Sequence, residues 1–179
     1  LSGATGDPVA PAPRPDAALA AAPPPGALKV AAALEAAGAP ARIVRTPASA
    51  HTAEQAAAAC GCDVGRIVKS LVFRDGPDGP ARMVLASGAN RVHEKRLGRL
   101  LGVALTRADA DFVKAATGFS IGGVSPFGLP EAMRAGMIVD ADIARLDTVW
   151  AAAGAPDCVV EIAVETLLRV TGGRIARIV

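Results

Sequence analysis

Residues 66–87 read RIVKSLVFRDGPDGPARMVLAS. Two runs rich in β-branched and large apolar residues flank a turn built from Asp, Gly and Pro. The pattern predicts a β-hairpin with strands over 66–74 and 81–87 and a longer loop over 75–80. It commits the chain to a β-sheet, and the rest of the sequence must supply what covers that sheet.

Helices are predicted over 27–38, 51–61, 92–102, 108–118 and 163–173. Leu28, Ala31, Ala32 and Leu34 are expected to face inward on the first. In the second, Thr52 and Gln55 have capping-box spacing and Gly61 marks the stop. In the third, Leu97, Leu100 and Leu101 share one face. Further strands are expected over 41–45, 136–140, 148–153, 158–162 and 174–179. Helices and strands alternate without a regular βαβ rhythm. That favours an α+β fold with a mixed sheet over a Rossmann-like layout.

The chain has 179 residues, enough for one core. Residues 1–25 are rich in Ala and Pro and poor in large apolar side chains. Such a stretch cannot offset its ordering entropy, so a disordered arm is expected there, with one domain over 26–179. Leu1 in place of an initiator Met suggests a processed or trimmed chain. The N-terminus lacks the basic and continuous apolar regions of a signal peptide, and no apolar run is long enough to span a membrane.

Composition narrows the function. The chain has no Tyr, one Trp and four Phe, so stacking platforms for single-stranded nucleic acid are nearly absent. A net charge of +2 gives no broad grip on a duplex, and DNA is not an expected partner. Three cysteines make no disulfide framework, and a reducing cytoplasm fits best.

The usual chemistries find little support. The two histidines, His51 and His93, each stand at a helix entry and are better read as solvated residues than as bases. Cys60 and Cys62 form CGC rather than the C-x-x-C knuckle of structural zinc, so they read as small apolar filler and no metal is expected. Neither a Walker A loop nor GxGxxG is present. Arg91, Lys95, Arg96 and Arg99 lie at helical spacing opposite the Leu face, either as a solvated surface or as a phosphate-contacting patch.

Two features remain. Lys69 is one of only four lysines, against fifteen arginines, and it sits inside an otherwise apolar strand. By alternation it shares a face with Ile67 and Leu71, while Val68, Ser70 and Val72 share the other. It either snorkels at a sheet edge or enters a pocket where an anion meets it. The second feature is GGVSPFGLP at 122–130, with three glycines, two prolines and a single hydroxyl. Such a stretch is a plain turn or a place where the backbone itself binds.

GRIVKSLVF at 65–73 followed by GGVSPFG at 122–128 resembles the YbaK/prolyl-tRNA synthetase-associated domain family of aminoacyl-tRNA editing domains. HTAEQAA, ASGANRVHEKRLGRLLG, ATGFSIGGVSPFGLP and VWAAAGAP extend the similarity from about Val30 to Val179. The resemblance implies a mixed, partly barrel-like β-sheet flanked by helices. It implies a free-standing deacylase that hydrolyses the ester of a mischarged tRNA, bearing Cys, Ala or another small amino acid, without a cofactor. The acceptor end of an aminoacyl-tRNA is the implied partner, and a tRNA synthetase a second one.

The family's lysine maps onto Lys69, and its GxxxP loop onto Gly122, Gly123, Val124, Ser125 and Pro126. The resemblance thus makes Lys69, Gly122 and Gly123 catalytic candidates. Val124, Ser125, Pro126, His51 and Thr52 become candidates for substrate contact. Free loop amides would hold the ester carbonyl and the developing oxyanion, while Lys69 anchors a phosphate or ribose of the terminal adenosine. Where some relatives carry a His, or a Ser and an Asp, this chain has Cys158, Ala152 and Val159. A binding module without turnover, and a small-molecule ester hydrolase on the same fold, are the alternatives.

Overall fold

The computed structural model describes residues 22–47 and 50–179. Most of the arm expected over 1–25 lies outside that span, and the first described helix begins at Pro25.

Among the described residues, eight strands form one mixed sheet. They are β1 (Ile43–Arg45), β2 (Ile67–Asp75), β3 (Ala81–Ser87), β4 (Leu105–Arg107), β5 (Ile138–Asp140), β6 (Thr148–Ala152), β7 (Cys158–Ala163) and β8 (Arg174–Ala176). The order is β1-β7-β6-β2-β3-β5-β8, with β4 joined to β2 off this path. Helices α1 (Pro25–Ala36), α2 (Ala53–Cys60), α3 (Glu94–Leu101), α4 (Ala110–Thr117), α5 (Glu131–Arg134) and α6 (Val164–Thr171) accompany the sheet. The fold is the α+β class with a mixed sheet that the sequence implies.

The hairpin pairs β2 with β3 from Val68↔Ser87 to Arg74↔Ala81. The Asp75 amide closes its loop on the Pro80 carbonyl at 3.0 Å. Arg82 ties the same end, donating to Asp75 Oδ1 at 2.7 Å and to the Gly136 carbonyl at 3.0 Å. The second helix starts as its spacing predicts. Thr52 Oγ1 accepts from the Gln55 amide at 3.2 Å, and Gln55 Oε1 accepts from the amides of Thr52 and His51. Gly61 ends it in the left-handed region.

Two inward faces differ from expectation. On α1 the buried stripe is Ala27, Val30 and Leu34, while Leu28 is 54% exposed and Ala31 and Ala32 face outward. In a helix so rich in alanine many stripes look alike, and Val30 and Leu34 win because they bury more apolar area. On α3, Leu97 is fully buried but Leu100 is 52% exposed. Strand β4 and helix α5 are too short to have left a periodic signal.

The main core lies on one side of the sheet, where Val30 and Leu34 meet Met83, Leu85, Phe127 and Leu167. Leu97 packs with Phe73, Val84, Ala86 and Ile138 in a second cluster. A third joins Ala57 and Cys60 of α2 to Ile67 and Trp150. The start of α1 also touches the β6–β7 turn closely. A Cβ on Gly26 would lie 1.9 Å from the Gly154 carbonyl oxygen.

One detail of the topology opens the site. On the edge of β2 away from β3, β6 pairs only with residues 67–68 and β4 only with residues 73–75. Between those two partners, residues 69–72 face no strand on that edge among the described residues.

Candidate functional site

The gap at residues 69–72 is the floor of a cavity of about 420 Å³. Lys69, Ser70, Leu71 and Val72 line it from β2. His51, Thr52, Ala53 and Ala56 line it from the start of α2, and Ile121, Gly122 and Val124 from the loop after α4. Ala152, Pro156, Cys158 and Val159 close it from β6, β7 and their turn. Apart from Lys69 and a few hydroxyl and imidazole groups, the lining is apolar and ranges from alanines to Ile121 and Trp150. Alternation along β2 turns the N–H and C=O groups of Ser70 and Val72 toward the same opening. The Ser70 hydroxyl is buried and has no hydrogen-bond partner among the described residues.

Lys69 neither snorkels away nor stands bare. Its ammonium donates to the Gly88 carbonyl at 3.1 Å and to the Asn90 carbonyl. An ammonium has three donors, so one is left for a ligand. Burial pushes the Lys69 pKa below the ordinary lysine value, and the carboxylates of Glu54 and Asp140 push it partly back. The residue also borders a second hollow of about 240 Å³ lined by Arg91, Val92, Glu94 and Arg107. Lys69 thus stands at the seam between an apolar cavity and a charged one. The neighbouring basic residues Lys95, Arg96 and Arg99 on α3 are exposed.

The GxxxP loop divides into a lining part and a supporting part. Gly122 has φ +91°, a conformation that favours glycine, and reaches the cavity with Val124. Gly123, Ser125 and Pro126 are buried behind the wall. The Gly123 amide donates to the Ser120 carbonyl at 3.0 Å, so it is already used. Ser125 Oγ accepts from the Phe127 amide at 3.2 Å and braces the loop from inside. The amides of Gly122, Val124 and Ser125 have no acceptor among the described residues. The loop is pressed against the β6–β7 turn, and a Cβ on Gly123 would lie 2.7 Å from Ala155 Cα.

The structure therefore brings Lys69, Gly122, Val124, His51 and Thr52 to one cavity, and leaves Gly123, Ser125 and Pro126 as its backing. Cys158, Ala152 and Val159 also line it. None of the three carries an imidazole or a carboxylate. Sequence reasoning missed the partners of Lys69, namely the Gly88 and Asn90 carbonyls and the buried Asp140. Their traces in the sequence are the turn-forming SGAN at 87–90 and the Asp that follows the apolar run MIV at 137–139.

The cysteines are packing residues by their environment. Burial pushes the Cys60 thiol up to about 12, and raises those of Cys62 and Cys158. Cys60 and Cys158 are buried whereas Cys62 is half-buried. Alkylation with a maleimide at pH 8 should therefore modify Cys62 first, and Cys60 and Cys158 only on unfolding. Rapid labelling of Cys60 in the native protein, seen by peptide mass spectrometry, would contradict this. Among the described residues no group of His, Cys, Asp and Glu could hold a metal ion, and no helix is long and apolar enough to cross a membrane.

The chain is 33% identical over 117 residues to the uncharacterised protein YwhH of Bacillus subtilis (strain 168), covering 64% of this chain and 71% of that one. It is similar to a solved structure proposed to be a trans-editing enzyme for prolyl tRNA synthetase, with a TM-score of 0.80 and 39% identity, over 87% of this chain and 98% of that one. It is also similar to the structure of hypothetical protein APE2540, with a TM-score of 0.75 and 27% identity, over 84% of this chain and 98% of that one. The model of the aminoacyl-tRNA editing domain matches residues 47–170, a span that includes β2, the GxxxP loop and every lining residue of the cavity but Thr46. The chain belongs to the aminoacyl-tRNA editing domain family.

Proposed function

We propose that the protein is a trans-editing deacylase, which hydrolyses the ester joining a wrong, small amino acid to the terminal adenosine of a tRNA. The observation that carries this reading is a single cavity lined by Lys69, Gly122 and Val124, the last two with amides that find no acceptor among the described residues. The acyl side chain enters the small apolar part of the cavity, beside His51 and Thr52. The adenosine end lies toward Lys69 and the hollow lined by Arg91 and Arg107, where phosphate or ribose oxygens meet positive charge.

Water adds to the acyl carbon, and the negative charge that develops on the carbonyl oxygen is held by the loop amides. The ester C–O bond then breaks. The ribose oxygen leaves with a proton supplied overall by the water, giving a free amino acid and a tRNA with its hydroxyl restored. No strong side-chain base is required if the water is positioned by the closed site. The binding energy of the tRNA end supplies that positioning.

A second reading has one observation in its favour. Ala152, Cys158 and Val159 give the cavity no acid or base, as a module that binds an aminoacyl end without turning it over would have it. A panel of mischarged tRNAs separates the readings. The deacylase reading expects rapid release of one small amino acid, with tRNA(Pro) carrying Ala or Cys the first substrates to test. Binding without release favours the module. Equal rates on free aminoacyl esters would indicate a small-molecule hydrolase.

A further inference from the structure

The editing chemistry needs the Lys69 ammonium held at one point, and the flexible lysine stem does not ensure this. We propose that Asp140 is the positioning residue for Lys69: its buried carboxylate fixes the turn at 87–90, and the carbonyls of that turn fix the ammonium. The consequence for turnover rests on the editing reading; the geometry does not.

Asp140 ends β5 and is 1% exposed. Its Oδ2 accepts from the Ser87 amide at 3.1 Å and from Asn90 Nδ2 at 2.8 Å. Its Oδ1 accepts from the Asp142 amide at 3.1 Å. Asn90 Nδ2 also donates to Asp142 Oδ2 at 2.8 Å. Three N–H donors thus converge on one carboxylate, and two of them belong to the turn that grips Lys69. The turn is pinned from its other side as well. The Gly88 amide donates to the Ile67 carbonyl at 2.7 Å, and Ser87 Oγ donates to the Gly65 carbonyl at 2.9 Å. A Cβ on Gly88 would lie 2.2 Å from the Val64 carbonyl oxygen, so the turn is seated tightly.

Asp140 forms no ion pair within 4.0 Å among the described residues. A buried carboxylate without a cationic partner is costly unless its hydrogen bonds are all made. Here two are made by the turn and one by the Asp142 amide, and the charge acts on Lys69 across the turn. The other charged groups facing Lys69 are Glu54 at the start of α2, and Arg91, Glu94 and Arg107 around the adjoining hollow. None of these is hydrogen-bonded to the carbonyl cage; Asp140 is bonded to it through Ser87 and Asn90, and Asp142 through Asn90 alone.

Asp140→Asn tests the assignment. The amide has one oxygen for three donors, and its NH₂ must face N–H groups. Asn90→Ala is the second variant. It keeps the carboxylate and removes only the two hydrogen bonds of a half-buried amide, to Asp140 and Asp142, so it serves if the first variant fails to fold. Two quantities are read on the full chain: kcat and KM on a mischarged tRNA, and the pH profile of Lys69 labelling by acetic anhydride, resolved by mass spectrometry. We expect kcat to fall by about 10–100-fold with KM within about 3-fold, the range in which misplacing a group acts on catalysis. The Lys69 labelling profile should move to lower pH, because a carboxylate that favours the charged form is gone. Asn90→Ala should shift both in the same directions by less, because a loosened turn takes its carbonyls away from the ammonium while the carboxylate stays.

An unchanged labelling profile in both variants overturns the assignment, as does a shifted profile with unchanged kcat. If the wild-type protein hydrolyses no aminoacyl-tRNA while the profile still shifts, Asp140 positions Lys69 and the editing reading falls instead. If the wild-type protein hydrolyses its substrate and the profile stays put, editing stands and the positioning role falls.

Discussion

Replacing Lys69 with alanine is expected to lower deacylation of a mischarged tRNA by about 10²–10³-fold, the size of effect seen when one preorganised electrostatic donor is removed from an active site. The fold should survive. The substitution frees the Gly88 and Asn90 carbonyls, which is unfavourable, but it also removes a partly desolvated ammonium, which is favourable. These opposing changes should leave the unfolding free energy within about 1 kcal/mol of wild type, measured by urea denaturation. Single-turnover rates on the best substrate of the tRNA panel give the catalytic side. Wild-type turnover in this variant would remove Lys69 from the mechanism and leave it a structural residue.

Gly123→Ala should be the other severe change, for a different reason. An added Cβ would sit 2.7 Å from Ala155 Cα, 2.8 Å from its nitrogen and 2.9 Å from its carbonyl carbon. All three are backbone atoms, so nothing can rotate away. The GxxxP loop must lift from the β6–β7 turn, carrying the Gly122 and Val124 amides with it. We expect a loss of about 1–3 kcal/mol in stability from overpacking. We expect a fall of about 100-fold in turnover from displacement of the proposed oxyanion donors. Gly122→Ala provides the contrast. Its Cβ would meet Pro156 only at 3.5 Å, so its effect comes from φ +91° and not from contact. Full turnover in Gly123→Ala, in a protein shown to be folded, would mean that the loop's position does not matter to the chemistry.

Local features of the fold were legible in the sequence, and features set at long range were not. The 66–87 hairpin and the Thr52–Gln55 capping box depend on residues close in sequence, and both form as their spacing predicts. The inward face of α1 depends on partners such as Leu85 and Phe127, and in an alanine-rich helix the pattern alone finds Leu34 but not Ala27 or Val30. The same division runs through the site. The sequence marks Lys69 as unusual and Gly122–Pro126 as a candidate cradle. That the Gly123 amide is spent on Ser120, and that Lys69 is caged by the 88–90 turn, follows from contacts no local pattern encodes. The gap at 69–72 is the clearest case. It exists because β6 and β4 take opposite ends of the same strand edge, and no single segment reveals that division.

The contact between Gly26 and Gly154 reaches further than its size suggests. Gly26 bears on Gly154, and the next residue, Ala155, bears on Gly123, so the first helix, the β6–β7 turn and the GxxxP loop are stacked like wedges. The outermost wedge belongs to α1, which lies ahead of the matched span 47–170. The unit that holds the cavity is therefore larger than its family signature: a chain cut back to that signature would keep every lining residue but Thr46 and lose the abutment that holds the loop in register.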